Sequence, residues 1–176
     1  LYPERKTSMT TSRPINVLVL CTGNSARSVL GEALFNHLGE GRVRAFSAGS
    51  KPSGTVNPVA LETLEKHGVT VPSGVRSKSW DEFAAPGAPQ LDYIFTVCAS
   101  AAGEVCPIWP GHPATAHWGI DDPAHVEPLA ALREAFEVAY RHLERRIRAF
   151  LALPLETLSA DEVKAAARRI HEEAGQ

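Results

Sequence analysis

The stretch Cys21-Thr22-Gly23-Asn24-Ser25-Ala26-Arg27-Ser28 combines residue types and spacing suited to covalent chemistry. A thiol opens it, small residues fill it, and an arginine and a hydroxyl close it. Held between a strand and a helix N-terminus, Thr22, Gly23, Ser25 and Ala26 let the backbone curl until several N–H groups point at one centre. A nest of that kind, backed by the helix dipole, binds an oxyanion. Arg27 can close the ring with a planar grip on two oxygens. The same field favours the thiolate of Cys21, and a thiolate beneath a bound tetrahedral oxyanion is placed for in-line attack on its central atom. Ser28 can donate a hydrogen bond to that sulfur. Asn24, whose short amide tolerates left-handed backbone angles, suits pinning of the loop. Attack expels an oxygen that needs a proton, so a carboxylic acid is required at the rim.

The flanking elements are the ones this chemistry demands. Ile15-Asn-Val-Leu-Val-Leu20 is a short apolar run rich in β-branched residues, the pattern of a central parallel strand covered on both faces. Val29, Leu30, Ala33, Leu34, His37 and Leu38 then fall on one helical face, which Gly39 and Gly41 end. Val43 to Ser47 reads as a second strand. Asn57-Pro58 predicts an N-cap with proline at the first helical position and a helix running to about His67. Ser77 to Phe83 reads as a short helix, Ala85 to Gln90 as a loop, Leu91 to Val97 as a strand and Ala114 to Trp118 as a weaker one. The longest stripe, Leu132, Phe136, Tyr140, Leu143, Ile147 and Phe150, predicts a helix over Ala130 to Leu153 that Pro154 stops. Ser159 and Glu162 form a capping box for a last helix. Strands alternate with helices, which argues for an α/β sandwich around a parallel sheet.

The bulk properties narrow the function classes. At 176 residues, 44% apolar and 22% charged, the chain reads as one globular domain with a proper core. A net charge of −2 and the lack of a Lys/Arg block speak against a nucleic-acid partner. No window is apolar enough for a membrane span. Residues 1–13 read as a polar, mobile arm, with 1–8 an expression remnant ahead of a native start at Met9, then a domain over 14–153 and a helical extension over 154–176. Three cysteines without Cys-x-x-Cys spacing fit intracellular thiols, and hence a cytoplasmic protein, better than a disulfide framework.

The loop string resembles the signature loop shared by low-molecular-weight protein tyrosine phosphatases and the arsenate reductases related to them. Ser47-Ala-Gly49, Thr96-Val-Cys98, Cys106-Pro107, His117-Trp118-Gly119 and Asp122-Pro123 are similar to the reductase branch, and the likeness runs from Ile15 to about Leu153. It implies a three-layer sandwich with a four-stranded parallel sheet flanked by helices. It also implies Asp122 as the general acid, with Asp121 in reserve; by itself an Asp-Asp-Pro run is a turn or helix start.

A phosphatase hydrolyses its cysteinyl intermediate, whereas a reductase delivers electrons by displacement at sulfur. Cys98 follows a strand and should emerge at the same sheet edge as Cys21, and Cys106 lies eight positions later. The resemblance implies that Cys21 forms an arsenic adduct, that Cys98 attacks Cys21 and releases arsenite, and that Cys106 attacks Cys98 to give a disulfide for thioredoxin. In the thioredoxin-coupled members the relay cysteines stand one residue closer, so glutathione with glutaredoxin is the alternative donor, with Cys98 and Cys106 as plain buried thiols the remaining reading. Phosphate and sulfate should mimic arsenate, and no bound cofactor is required. Against a phosphatase stand Ala26, where such enzymes usually carry a second loop cysteine, and Ala124, where they usually carry tyrosine. An oxyanion-binding module without catalysis is the reading from another class.

Asn24, Glu32 and Ser47 match part of a potassium site of the thioredoxin branch, but the matching aspartate near Ser79 is absent unless Asp81 substitutes for it. Glu32 alone reads as a solvated helix residue, and no metal is assigned. His112, His117 and His125 beside Asp121 and Asp122 have no metal-ligand spacing. Trp80, Trp109 and Trp118 read as packing residues, with Trp118 a candidate wall of the crevice. Arg76 and Lys78 are candidates to frame it with positive charge, with plain solvated residues the alternative.

Overall fold

The computed structural model describes residues 13–71, 74–97 and 113–174. Strand β1 spans Ile15–Cys21 and is buried at every position but the first. A run that apolar must be covered on both faces, which places it centrally. With β2 (Val43–Gly49), β3 (Tyr93–Thr96) and β4 (Ala114–His117) it forms a four-stranded sheet in the order β2-β1-β3-β4. Every neighbouring pair is parallel, with Cys21 opposite Gly49, Leu20 opposite Thr96 and Thr96 opposite His117. All four strands therefore end at one edge, where sheets of this kind bind ligands.

Alternation along β1 assigns its side chains to two cores. Val17, Val19 and Cys21 face the larger one, built with α1 (Arg27–Gly39), α2 (Pro58–Lys66), α3 (Leu129–Leu151) and α4 (Ala160–Ala174). Leu18 and Leu20 face the smaller one, with Ile94, Leu91, Trp80 and Phe83. Phe35, Phe95, Trp118 and Phe150 interlock at the centre of the larger core, Phe95 and Trp118 with ring centroids 4.2 Å apart.

Local chemistry explains most of the boundaries. Asn57 caps α2 by accepting from the Val59 N–H at 2.9 Å, with Pro58 in the first turn. The predicted capping box closes reciprocally: Ser159 N–H donates to Glu162 and the Glu162 N–H to Ser159 Oγ.

Three elements differ from expectation. Helix α1 is not striped: it is buried without a break from Ser28 to Phe35, because it packs between β1 and β2 on one side and α2 and α3 on the other. His37, read as part of the buried face, is exposed, while Phe35 joins the aromatic core. The short helix is a 3-10 turn confined to Trp80–Phe83. The residues before it stay extended because Gly49 N–H donates to Lys78 O and Ser79 bridges to Gly49. Strand β3 is shorter than Leu91 to Val97: Asp92 instead accepts the Asn16 N–H through its carboxylate, and Val97 N–H reaches Leu20 O beyond the ladder. Among the described residues no helix is long and apolar enough to cross a membrane.

Candidate active site

Cys21 is the last residue of β1, and the chain turns directly from it into the N-terminus of α1. Its sulfur lies 2.9 Å from Ser28 Oγ and accepts the Asn24 N–H at 3.2 Å. Asn24 adopts a left-handed φ of 47° and is fully buried. Its Nδ2 donates to Ser28 Oγ at 2.8 Å and its Oδ1 accepts the Lys78 N–H at 2.8 Å. Because Ser28 Oγ accepts from Asn24, its own proton is available to the sulfur. Asn24 thus pins the loop, and the sulfur is surrounded by donors suited to a thiolate.

The remaining loop is held by its carbonyls. Thr22 O accepts from Lys51 N–H, Gly23 O from Ser53 N–H and Ser77 Oγ, and Ser25 O from Asn57 N–H. In a trans peptide the carbonyl and the following N–H point in opposite directions. Anchoring those three carbonyls to the 51–57 segment and Ser77 therefore turns the N–H groups of Gly23, Asn24 and Ala26 the other way, and the Asn24 N–H does meet the sulfur. Gly49, beside Cys21 in β2, makes this approach possible: a Cβ there would overlap Thr22 O and stand 3.0 Å from Asn24 N.

Helix α1 begins at Arg27 with no side-chain cap at Ala26, unlike α2 with its Asn57 cap. The N–H groups of its first turn lack intrahelical partners, and they adjoin a cavity of about 380 Å³. Its walls are Cys21, Thr22, Gly23, Ser25, Ala26 and Arg27 from the loop, Ser53 from the segment behind it, and Asp122, Ala124 and His125 from the connection between β4 and α3. Arg27 NH1 donates to Ile120 O at 2.9 Å, and NH2 lies 3.5 Å from Asp122 Oδ2. Arg27 Nε is the one buried side-chain polar atom among the described residues left without a hydrogen-bond partner. An unpaired buried guanidinium nitrogen is costly, and an anion oxygen in the cavity is the partner it suits. Asp122 Oδ1 accepts the Ala124 N–H at 2.9 Å, which leaves Oδ2 to face Arg27 and His125.

Thr22, Gly23, Asn24, Ser25, Ala26, Arg27, Ser28, Cys21 and Asp122 are thus brought together. Cys98, Cys106, His112 and Trp109 lie outside the described residues. Four expectations are corrected. Glu32 is buried, not solvated: it accepts the Ser47 hydroxyl proton, and burial raises its proton affinity while Ser47 and Lys78 oppose that shift. Lys78 is half-buried behind the loop, its ammonium affinity for the proton lowered by burial, and does not line the cavity. Arg76 is taken up by Glu82 at 2.6 Å. Trp118 is fully buried and donates through Nε1 to Ala167 O, so it packs and walls nothing. His117 is tied to Thr96 Oγ1 through Nδ1, and among the described residues no His, Cys, Asp and Glu group could hold a metal.

Sequence reasoning missed Ser53, Ser77 and the backbone of Lys51, Asn57 and Lys78 as parts of the cradle. Their contribution is through N–H groups and hydroxyls at long sequence range, for which the sequence carries no local signal.

Known proteins resemble this chain in sequence and fold. The family model described as low molecular weight phosphotyrosine protein phosphatase matches residues 16–165. The arsenate reductase of Bacillus cereus (strain G9842) is 35% identical over 129 residues, covering 73% of this chain and 91% of that protein. A solved arsenate reductase in the phosphate binding state aligns at 25% identity with a TM-score of 0.64, over 78% of this chain and 97% of that one. A thioredoxin-dependent arsenate reductase of Corynebacterium glutamicum aligns at 27% identity with a TM-score of 0.53, over 78% of this chain and 63% of that one.

Proposed function

The chain belongs to the low molecular weight phosphotyrosine protein phosphatase family, and within it we propose that this protein is an arsenate reductase. The observation that carries the reading is that the Cys21 thiol and the Arg27 guanidinium line one cavity with Asp122, and that the described residues lining it include no phenylalanine, tyrosine or tryptophan. Such a cavity suits a small tetrahedral oxyanion better than a phosphorylated aromatic ring. Ala26 and Ala124, at positions where phosphatases of this fold usually carry cysteine and tyrosine, support the same choice.

In the proposed reaction arsenate is held by the loop N–H groups and Arg27. The Cys21 thiolate attacks arsenic, the As–O bond opposite breaks, and Asp122 protonates the departing oxygen, which leaves as water. Asp122 Oδ2 stands at the cavity wall for that transfer. Cys98 then attacks Cys21 Sγ: the sulfur–arsenic pair of electrons passes to arsenic, arsenite leaves, and a Cys21–Cys98 disulfide forms. Cys106 attacks Cys98, freeing Cys21 and leaving a Cys98–Cys106 disulfide for a dithiol donor. Thioredoxin is the donor we favour, as the Corynebacterium glutamicum neighbour is described as thioredoxin-dependent. Glutathione with glutaredoxin is the alternative.

Arsenate-dependent NADPH oxidation tests this in two cuvettes, one with thioredoxin and its reductase, the other with glutathione, glutaredoxin and glutathione reductase. Turnover with thioredoxin that is lost in Cys98→Ser and Cys106→Ser supports the three-cysteine relay. Turnover with glutathione alone retains the reductase and retires Cys106. Aryl phosphate hydrolysis with no arsenate turnover in either cuvette makes the protein a phosphatase.

A further inference from the structure

The acid of this site has a neighbour that the mechanism above leaves unused. Asp122 uses Oδ1 to close its own turn on the Ala124 N–H. Oδ2 is approached from two sides: by Arg27 NH2 at 3.5 Å from the cavity interior, and by His125 Nε2 at 3.5 Å from the solvent side. The Arg27 side chain is 13% exposed and the His125 side chain 87% exposed. The carboxylate oxygen that must gain and lose a proton in each turnover therefore lies between a cation that cannot release one and an imidazole that can.

We propose that His125 is a positioning and proton-supplying residue for Asp122, returning to Oδ2 the proton that Asp122 gives to the leaving oxygen. After that transfer Asp122 is a carboxylate with the Arg27 guanidinium 3.5 Å from Oδ2. A carboxylate with only Arg27 for company would recover its proton from water. An imidazolium at His125 donates from Nε2 to Oδ2, becomes neutral, and regains a proton from buffer through its exposed ring. The exchange is one proton in and one proton out, with no change of oxidation state.

The groups that face His125 across the cavity are Asp122 on its own connection, Arg27 of α1 and Cys21 at the end of β1, with Ser53 the neutral rim opposite. His142 of α3 faces Asp121 on the far side of the same connection and does not line this cavity. The contact at 3.5 Å is long for a hydrogen bond, as catalytic contacts in unliganded sites often are before substrate tightens them.

This inference rests on the acid role assigned to Asp122, so the test includes a reaction that needs the acid but not the thiol relay. The wild type, His125→Ala, His125→Gln and Asp122→Asn are compared from pH 5.5 to 8.5 in arsenate reduction and in p-nitrophenyl phosphate hydrolysis, each with and without added imidazole. The expected result is a loss of about 3–10-fold in kcat for His125→Ala in arsenate reduction, largest at the acid end of the range, with p-nitrophenyl phosphate hydrolysis, in which the attacking water returns the proton to Asp122, within twofold of wild type. Added imidazole should restore the rate in His125→Ala and leave Asp122→Asn unchanged. Gln, which fills the place without titrating, should not restore it. A His125→Ala profile superimposable on that of the wild type, or a loss that imidazole does not reverse and Gln does, overturns the proposal. If Asp122→Asn retains full rate in both reactions, the acid assignment itself has failed, and the His125 role fails with it for that separate reason.

Discussion

Replacing Gly49 with alanine asks whether the loop geometry depends on the close approach of β2. The position lies in β2 opposite Cys21, and its amide donates to Lys78 O. An added Cβ would overlap the carbonyl oxygen of Thr22 and press on Asn24 N at 3.0 Å and Asn24 Cβ at 3.1 Å. Two of these three are backbone atoms, so no side-chain rotation relieves the clash. Overpacking of this kind costs about 1–3 kcal/mol, and for a chain of this size each kcal/mol lowers Tm by about 2–4 °C. The expected fall is therefore about 2–12 °C. The larger effect should be on catalysis. Thr22 O is anchored to Lys51 N–H and Asn24 N to the Cys21 sulfur, so relief of the clash moves the nest relative to the thiol. A misplacement of about 1 Å can cost about 10²-fold in rate. Circular dichroism melts and kcat/KM for arsenate read the two effects separately. Gly87→Ala is the control: its φ of 85° strains any side chain, but nothing lies within 4 Å of its added Cβ. It should lower Tm by about 2–8 °C, for a strain of about 1–2 kcal/mol, and leave kcat/KM unchanged. If Gly49→Ala keeps wild-type kcat/KM, or loses no more than Gly87→Ala does, the steric argument for the loop is wrong.

Further expectations concern single residues. Arg27→Lys keeps a charge but loses the planar fork that meets Ile120 O and Asp122 at the cavity; kcat/KM should fall about 10²–10³-fold, while iodoacetamide still alkylates Cys21. Trp118→Phe removes the Nε1 bond to Ala167 O and leaves a void in the aromatic core, so Tm should fall by about 4–16 °C, for a loss of about 2–4 kcal/mol, with kcat within twofold of wild type in the same assay. Burial raises the pKa of Glu32, with Ser47 and Lys78 opposing that shift. A carboxyl bound more tightly to its proton when folded adds stability below its unfolded pKa and loses it as pH rises through the folded value. Urea melts from pH 4 to 8 should accordingly show Glu32→Gln gaining on the wild type as pH rises, and a constant gap would refute the assignment.

The parts of the molecule legible in sequence were those whose cause is local. The β-branched run before Cys21 could only be a covered strand, Asn57-Pro58 could only open a helix, and Ser159 with Glu162 declared its own cap. The cysteine, small-residue and arginine string carried the nest because its spacing is set by one turn of backbone. Other features arise from contacts across many residues. Glu32 looks like any charged helix position until β2 is seen to place Ser47 against it. Helix α1 read as striped in sequence but is buried on two sides, because its second side meets α3, an element about a hundred positions away. Asp122 was named through family likeness, since nothing in Asp-Asp-Pro distinguishes an acid from a turn. In the structure one oxygen closes the turn on the Ala124 N–H and the other faces Arg27, which is compatible with the proposed acid role.

That division of labour extends to the whole site. The nest is held by bonds made on its outer side: Lys51, Ser53 and Asn57 N–H groups and the Ser77 hydroxyl grip the carbonyls, Lys78 N–H grips Asn24, and Asn24 grips Ser28. None of these donors needs to move when an anion arrives, so the inward N–H groups meet it with little reorganisation, which is where electrostatic catalysis gains most. The same arrangement makes the site dependent on segments distant in sequence. Detachment of the 51–57 segment would remove a donor from the carbonyls of Thr22, Gly23 and Ser25 at once, with the Ser77 hydroxyl still on Gly23 O, and would loosen their peptides. The oxyanion nest should therefore be lost in a local opening that leaves the β1–β3 pairing and the aromatic core intact. Arsenate turnover should then disappear at a lower urea concentration than the near-ultraviolet signal of buried Trp118, and coincident transitions would show the nest to be no weaker than the core that supports it.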